Sequence, residues 1–196
     1  ANNITLEGNN SKIIYGTSGN SSKYGVYVNG ANGTTIRNLR IEMGNSSGTS
    51  NYGVSFLRAS NGTVTNVTVI TNGSEGYGMY LPSSSNNNIN NNNITTWGAG
   101  GFGMYLSSSS NNNVSANTIT TWGSAGYGMY LFSSSNNNIN NNTIITNGSS
   151  GYGMFLDKSS NNNINNNNIT TWGNGGFGVY LSSSSGNILN NTFKNM

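Results

Sequence analysis

The apolar residues of this chain recur in short alternating runs that are separated by longer polar stretches. Within one unit they follow a period of two over three to six residues, as in Tyr77, Met79 and Leu81. Such alternation predicts short strands, and no window carries the i, i+3, i+4, i+7 stripe of an amphipathic helix. The many glycines and asparagines also disfavour a helix. We therefore predict an all-β chain.

The whole pattern repeats at a fixed interval along most of the chain. Units of 25 residues begin at Asn51, Gly76, Gly101, Gly126 and Gly151, and a shorter unit begins at Gly176. Upstream, "YGVYV" at Tyr24 precedes "YGVSF" at Tyr52 by 28 residues. A fixed period of this length predicts a stacked repeat protein. We predict one domain over residues 1–196, with less regular coils over 1–50, regular coils over 51–175 and a shortened terminal coil over 176–196.

Aligned units place apolar residues in columns. One column contains Val54, Met79, Met104, Met129, Met154 and Val179. A unit with three short strands cannot bury its apolar edge alone, but stacked units can pair each strand in parallel with its copy ~4.8 Å away. Each apolar column then forms a continuous inner wall. The predicted fold is a single-domain parallel β-helix with about 25 residues and three short strands per coil.

The asparagine runs contain one position that does not vary. Neighbouring columns also hold Ser115, Ala116, Thr118 and Thr143, which indicates that those columns face water. The invariant position lies two residues before an inward isoleucine, so we expect it to point inward and to pass amide hydrogen bonds from coil to coil. This predicted structural Asn ladder consists of Asn92, Asn117, Asn142 and Asn167.

At this point the chain resembles a known group of proteins. The segments "NNITLEGNN", "YGVYV", "TTIRNLRI" and "NNNINNNNI" are similar to right-handed parallel β-helix repeats. Such repeats occur in pectate-lyase-like proteins, in NosD-type periplasmic proteins and in archaeal and bacterial cell-surface proteins. The resemblance covers essentially the whole chain and implies the right-handed sense of the coil. It implies no single function, because this fold carries many functions.

Composition and charge exclude several classes of partner. Charged residues make up 6% of the chain and the net charge is +3, which is too sparse for a nucleic-acid surface. No apolar run approaches the ~20 residues of a membrane span. The absence of cysteine excludes a disulfide scaffold and Cys-ligated zinc. The abundance of hydroxyl and amide side chains favours a secreted protein, extracellular or at the cell surface.

The residues that usually perform catalysis are scarce. The chain has no His and no Cys, and its four acids stand in different columns, at Glu7, Glu42, Glu75 and Asp157. Glycoside chemistry uses two carboxylates at a set separation, and we expect no such pair here. We therefore predict that the protein is not an enzyme, with no catalytic residues, no metal site and no cofactor.

Outward aromatic columns are the candidate binding or packing face. The alternation places them opposite the core, at Tyr80, Tyr105, Tyr130, Phe155, Tyr180, Trp97, Trp122 and Trp172. Aromatic columns of this kind can stack on sugars or pack against another protein, and they can equally cover the glycines of a strand. Both alternatives stay open. Outward sequons at Asn93, Asn113 and Asn168 are candidates for N-glycosylation.

Three functions are compatible with these features. Neither end shows an evident cap, so coils of different copies could stack head to tail into an open polymer. Our first hypothesis is therefore a non-catalytic filament, sheath or surface-appendage subunit whose partner is itself, with glycans as covalent or bound partners. The alternative is an adhesin or carbohydrate-binding β-helix that uses the Tyr and Trp columns. The third is an enzyme of the polysaccharide lyase or epimerase kind.

Overall fold

The computed structural model describes residues 2–18, 22–44 and 48–195, and the only regular structure in these ranges is β-strand. The prediction of an all-β chain is confirmed. The strands are β1 Thr5–Tyr15, β2 Tyr24–Asn29, β3 Thr35–Met43, β4 Tyr52–Leu57, β5 Thr63–Thr71, β6 Met79–Pro82, β7 Asn88–Asn90, β8 Asn93–Thr96, β9 Met104–Ser107, β10 Asn113–Ser115, β11 Thr118–Thr121, β12 Met129–Phe132, β13 Asn138–Asn140, β14 Thr143–Thr146, β15 Met154–Asp157, β16 Asn163–Thr171, β17 Val179–Ser182 and β18 Ile188–Asn195.

These strands form two parallel sheets within the described part of the chain. The larger sheet has 11 strands in the order β1-β3-β5-β7-β10-β13-β16-β14-β11-β8, with β18 beside β16. The smaller sheet has 7 strands in the order β17-β15-β12-β9-β6-β4-β2, one from each coil. Equal positions of successive units lie side by side, so that Met79 pairs with Met104 and Ile94 with Ile119. The predicted parallel β-helix is confirmed, and it has seven coils.

The regular coils that begin at Gly76, Gly101 and Gly126 contain three short strands each, as predicted. In the unit that begins at Gly76, β6 belongs to the smaller sheet, whereas β7 and β8 belong to the larger one. In β3, β5 and β16 the two segments of the larger sheet merge into one strand of 9 residues. The assignment of residues 1–196 to a single domain stays a prediction.

Four apolar columns fill the inside of each regular coil. Met79, Leu81, Ile89 and Ile94 are at most 2% exposed, and their equivalents in the coils that begin at Gly101, Gly126 and Gly151 are equally buried. Burying a side chain of this size contributes about 1.5–3 kcal/mol. Because one coil supplies so few of these residues, its stability depends on the coils above and below it.

The invariant asparagines lie inside the coil, where they are 1–2% exposed. Asn117 is representative of the column. Its Oδ1 accepts hydrogen bonds from the backbone N–H of Asn92 at 3.0 Å and from Asn92 Nδ2 at 2.9 Å. Its Nδ2 donates to the carbonyl of Ile89 at 2.9 Å and to Asn142 Oδ1 at 3.0 Å. Each amide thus joins neighbouring coils and pairs backbone groups that would otherwise be buried without partners.

Two further polar columns lie inside the turn between the sheets, and the sequence analysis did not predict them. Asn112 Oδ1 accepts from the backbone N–H of Asn87 at 2.9 Å. Ser109 Oγ accepts from the backbone N–H of Ser84 at 2.7 Å and donates to the carbonyl of Leu81 at 2.7 Å. The buried members are Asn87, Asn112, Asn137, Asn162, Ser84, Ser109, Ser134 and Ser159.

Other asparagines of the same runs form the corners of the coil. Asn86 and Asn91 have φ angles of 59° and 55°, in the left-handed region that asparagine adopts more readily than most residues. Ala116 takes the same conformation in the next coil, with a φ of 54°. Runs such as "NNNINNNNI" therefore alternate between corner positions, inner ladder positions and outward positions.

Candidate functional site

The three tryptophans stand on one outer turn of the coil. Trp97, Trp122 and Trp172 follow β8, β11 and β16, and their side chains are 51%, 46% and 49% exposed. The indoles of Trp97 and Trp122 are stacked, with centroids 5.0 Å apart and an interplanar angle of 5°. The turn therefore presents large aromatic surfaces to solvent at the spacing of the coils.

Hydrogen bonds and close packing inside the coil hold the backbone of this turn in place. Thr96 Oγ1 donates to the carbonyl of Gly101 at 2.9 Å across the turn, and the equivalent threonines repeat this bond in other coils. A Cβ on Gly98 would collide with the carbonyl oxygen of Gly73 in the preceding coil. Glycine after the tryptophan thus allows neighbouring coils to lie close together. The tryptophans project from this tightly packed backbone.

Two asparagines interrupt the tryptophan column. The amide Nδ2 of Asn72 donates to the carbonyl of Met43 at 3.4 Å. Asn147 is half-buried, and its side chain has no hydrogen bond among the described residues. Its backbone N–H donates to the carbonyl of Thr121 at 2.8 Å. The backbone N–H of each tryptophan donates in the same way to the inner threonine of the preceding coil.

The predicted tyrosine column lies on the outer face of the smaller sheet. Successive rings stack, with centroids 4.8 Å apart for Tyr105 and Tyr130. Tyr80 is half-buried, whereas Tyr180 is 41% exposed. The members that the structure places in this column are Tyr80, Tyr105, Tyr130, Phe155 and Tyr180.

A second aromatic column, which the sequence analysis missed, packs against the first. Tyr77 stacks on Phe102 at 4.8 Å, and its ring meets that of Tyr105 edge to face at 5.4 Å. The alternation of Tyr77, Met79 and Leu81 predicts one shared face, and this is wrong for Tyr77 because the alternation breaks at Gly78. Members of this column are Tyr52, Tyr77, Phe102, Tyr127, Tyr152 and Phe177.

The glycines beside these aromatics are required by the inside of the coil. A Cβ on Gly78 would collide with the side chain of Ile94 and would lie 2.7 Å from the carbonyl oxygen of Gly103. Real Cβ atoms do not approach backbone that closely, so the position demands glycine. Crowding in the core therefore explains the glycine column without any need for aromatic cover on the outside.

Burial raises the pKa of several phenols on this surface. Desolvation by burial raises the pKa of Tyr130 to about 12, and it likewise raises the pKa of Tyr77 and Tyr80 above the ordinary value of 10.0. The phenols of Tyr77, Tyr80 and Tyr130 are therefore neutral over the physiological range. They can donate hydrogen bonds, but they cannot act as anions there.

Six of the eleven charged residues lie in the less regular first coils, within residues 1–50. Hydrogen bonds from Asn38 and from the Asn9 backbone, together with Arg37, hold the pKa of Glu7 below its usual value. Lys12, whose Nζ lies 3.1 Å from Glu42 Oε2, and then Arg40 lower the pKa of Glu42. The two carboxylates are thus ionised at neutral pH, and each faces cationic neighbours.

The three candidate glycosylation sites differ in accessibility. Asn93 and Asn168 are exposed on the larger sheet. Asn113 is half-buried, and its Nδ2 donates to Asn88 Oδ1 at 2.9 Å. A glycan on Asn113 would therefore break its hydrogen bond to Asn88. Glycosylation at all three stays a prediction.

Stacked parallel coils with polar ladders inside and aromatic columns outside define a parallel β-helix protein. The model of the family "Periplasmic copper-binding protein (NosD)" matches residues 1–148 and 103–196. The chain belongs to this family, whose coils are right-handed, and the predicted resemblance is confirmed. The family is described as periplasmic, which supports the predicted location outside the cytoplasm. No curated protein gives a significant match.

Solved structures share the fold at low sequence identity. The periplasmic alginate epimerase AlgG, in a double-mutant form, aligns with a TM-score of 0.55 at 15% identity, over 87% of this chain and 50% of that one. The enzymatically active domain of tailspike protein 2 from bacteriophage CBA120 aligns with a TM-score of 0.51 at 14% identity, over 99% of this chain and 40% of that one. The chain thus spans half or less of these structures.

These similarities contradict the prediction that the protein is not an enzyme. One matched structure is an epimerase and the other is an enzymatically active domain. The prediction relied on the small number of acids and on the missing histidine and cysteine. Active sites are built from local side chains on a shared fold, so such counts do not exclude catalysis.

The side chains of this chain that could serve as metal ligands do not match those that bind copper, the metal in the family description. Copper sites use imidazole and soft sulfur ligands, and the chain has neither His nor Cys. Among the described residues, no three His, Cys, Asp or Glu side chains gather into a possible metal site. The thioethers of Met79, Met104, Met129 and Met154 are fully buried in the apolar core, where an ion would be desolvated without compensation.

No helix within the described ranges has the length and apolar character needed to cross a bilayer.

Proposed function

We propose that the protein is a carbohydrate-binding β-helix located outside the cytoplasm, and that its tryptophan column is the contact surface for sugar rings. The observation that carries this proposal is the exposure of Trp97, Trp122 and Trp172, each close to half exposed, on a rigid turn. Large exposed aromatic side chains in a regular row are characteristic of binding surfaces. Their fixed support keeps the ordering cost of binding low.

The surroundings of the tryptophans also suit a sugar ligand. Thr95 and Thr120, two residues before a tryptophan, are half-buried, and Ser124 and Asn174 are exposed on the following turn. Hydroxyl and amide groups can donate and accept hydrogen bonds with sugar hydroxyls. Aromatic faces bordered by a few polar groups are the usual composition of a ligand site.

The fold provides an analogy for this function. AlgG, whose name identifies alginate as the compound it acts on, is built on the same kind of β-helix. At 15% identity this likeness concerns the fold, and the aromatic turn carries the proposal.

Removing two indoles tests the function. We expect the Trp97→Ala, Trp122→Ala double variant to bind glycans at least tenfold more weakly than the unmodified chain, because both lost rings are exposed contacts. Affinity electrophoresis through gels that contain defined polysaccharides measures the loss. Circular dichroism checks that the fold is kept, as expected for substitutions on an outer turn.

Tyr105→Ala is the matched control, since it removes one ring from the other aromatic surface. Unchanged binding by this variant, with loss in the tryptophan variant, supports the proposal. Loss of binding by Tyr105→Ala alone would assign the site to the tyrosine columns, and full binding by the tryptophan variant would refute the proposed contact surface.

We keep head-to-tail self-association as a second candidate function. The observation in its favour is the apolar surface of the last described coil, where Leu189 and Phe193 are 41% and 52% exposed on the inner side. A second copy that stacked there would bury this surface and pair the free strand edges. Filament formation itself stays a prediction.

A further inference from the structure

The tryptophan column contains a gap that has an indole on both sides. Trp122 and Trp172 stand two coils apart, and Asn147 occupies the coil between them. All three backbone N–H groups donate to the inner threonine of the preceding coil, at 2.8–2.9 Å. The three side chains therefore start from equivalent points of the turn.

The width of this gap follows from the spacing of the coils. Trp97 and Trp122, one coil apart, have ring centroids separated by 5.0 Å. Two coils therefore separate the levels of Trp122 and Trp172 by about 10 Å. The asparagine side chain is much shorter than an indole, so the outer part of the gap, beyond the amide, is open.

The gap has room for one ring between two indoles. A ring halfway between the levels of Trp122 and Trp172 would lie about 5 Å from each, and Trp97 and Trp122 stack with their centroids 5.0 Å apart. A pyranose chair carries C–H groups above and below its mean plane. Such a ring can contact the faces of Trp122 and Trp172 at the same time.

The chemistry of the gap favours a neutral sugar. The amide of Asn147 has no hydrogen-bond partner among the described residues, so its donor and acceptor groups are available to hydroxyls. Residues 97–100, 122–125, 147–150 and 172–175, which form this turn in four coils, contain no charged side chain. A sugar acid would therefore find no cation here.

We propose that Trp122, Asn147 and Trp172 form a subsite that holds one neutral pyranose ring of a glycan between two indoles. The Asn147 amide hydrogen-bonds to the hydroxyls of that ring. This inference rests on the proposed carbohydrate-binding function and assigns one binding point within it. Asn72 forms no equivalent site, because only Trp97 borders it and its amide already donates to the carbonyl of Met43.

Filling the gap tests the subsite. The variant Asn147→Trp places a third indole between the two others, and the turn accepts tryptophan at the equivalent position of three coils. We expect its affinity for the neutral oligosaccharides cellohexaose and maltohexaose to fall at least tenfold, as measured by calorimetry. Asn72→Trp, which adds an indole outside the gap, is the matched control and should keep its affinity.

The outcomes separate this inference from the function on which it rests. If the column bound sugars without a subsite, Asn147→Trp would lengthen a continuous aromatic surface and would bind as well as the unmodified chain or better. That result would overturn the subsite and leave the proposed function standing. If the unmodified chain bound neither neutral oligosaccharide, nor oligomannuronate used as the acidic comparison, both proposals would be refuted.

Discussion

Single asparagine residues have three different environments in this chain, although their sequence neighbours are nearly the same. Asn92 is buried and bonded to the coils on both sides, whereas Asn91 forms an exposed corner with a positive φ. The inner amides accept hydrogen bonds from backbone N–H groups of the turns, such as that of Asn92, and donate to carbonyls such as that of Ile89. An inner position therefore requires asparagine for its hydrogen bonds, whereas a corner position only favours asparagine because of its positive φ.

A pair of alanine substitutions measures this difference. Asn117→Ala leaves the backbone N–H of Asn92 and the carbonyl of Ile89 buried without their partner. Each such group costs about 1–3 kcal/mol, so we expect the free energy of unfolding to fall by about 3–5 kcal/mol. Urea denaturation followed by circular dichroism measures the change.

The control is Asn141→Ala, at an exposed corner. Alanine already occupies the equivalent position at Ala116, with the same positive φ. We expect this variant to lose about 1 kcal/mol or less. Equal losses in the two variants would show that the inner amide bonds contribute nothing specific.

Among the structural elements, the two tyrosine-rich columns act as one unit. Rings stack along each column and meet edge to face between the columns, as Phe102 does with Tyr105 at 5.8 Å. Such aromatic pairs contribute about 0.5–1.5 kcal/mol beyond the burial of their area. The columns thus tie the outer face of the smaller sheet together from coil to coil.

This surface makes the fold sensitive to alkaline pH. Burial raises the pKa of Tyr130 to about 12 in the folded chain, above the ordinary value of 10.0. Its contribution to stability is therefore complete below about pH 10 and is lost as the pH rises toward 12. We expect tyrosinate absorbance and loss of the β-sheet signal to rise together in this interval. Titration of every tyrosine near pH 10, with unchanged circular dichroism, would contradict this.

The sequence predicts the sheets and the core because they follow simple periods. A repeat of 25 residues aligns Met79 with Met104, and alternation within a strand identifies Leu81 as inward. Neither rule applies in the turns. Asn87 and Ser84 are as invariant as Asn92, but corners with positive φ bend the chain beside them, so period two does not indicate which side they face.

The aromatic surfaces show the same limit. The positions of the tryptophans could be predicted as outward, but the second column at Tyr77 could not. Gly78 and Met79 both face inward, which breaks the alternation and brings Tyr77 beside the ring of Tyr80, 5.7 Å away. The proposed subsite between Trp122 and Trp172 also depends on the equivalent backbone hydrogen bonds of these residues and Asn147, which the three-dimensional structure provides.

At the scale of the whole molecule, the stability of each coil depends on its neighbours. The first coils carry ion pairs, such as that of Lys12 with Glu42, whereas the regular coils are almost free of charge. In such an array each coil is stabilised by its neighbours, and a surface that covers the final coil stabilises the stack further.

Self-association through this coil can be measured directly. We expect the sedimentation coefficient of the unmodified chain to rise with concentration, because stacking of another copy would bury Leu189 and Phe193. Phe193→Lys places a charge on that surface and should sediment as a monomer throughout the same series. A monomeric unmodified chain at every concentration would exclude the filament hypothesis for these 196 residues.

The polar rows inside the coil have a consequence for temperature. Exposure of apolar surface on unfolding raises the heat capacity by about 0.45 cal/K/mol per Å², and exposure of polar surface lowers it by about 0.26. Rows of amide and hydroxyl groups replace part of an apolar interior here, so the heat capacity increment of unfolding is small for the size of the chain. A small increment flattens the curve of stability against temperature, and both chilling and warming then cost this protein little of its folding free energy.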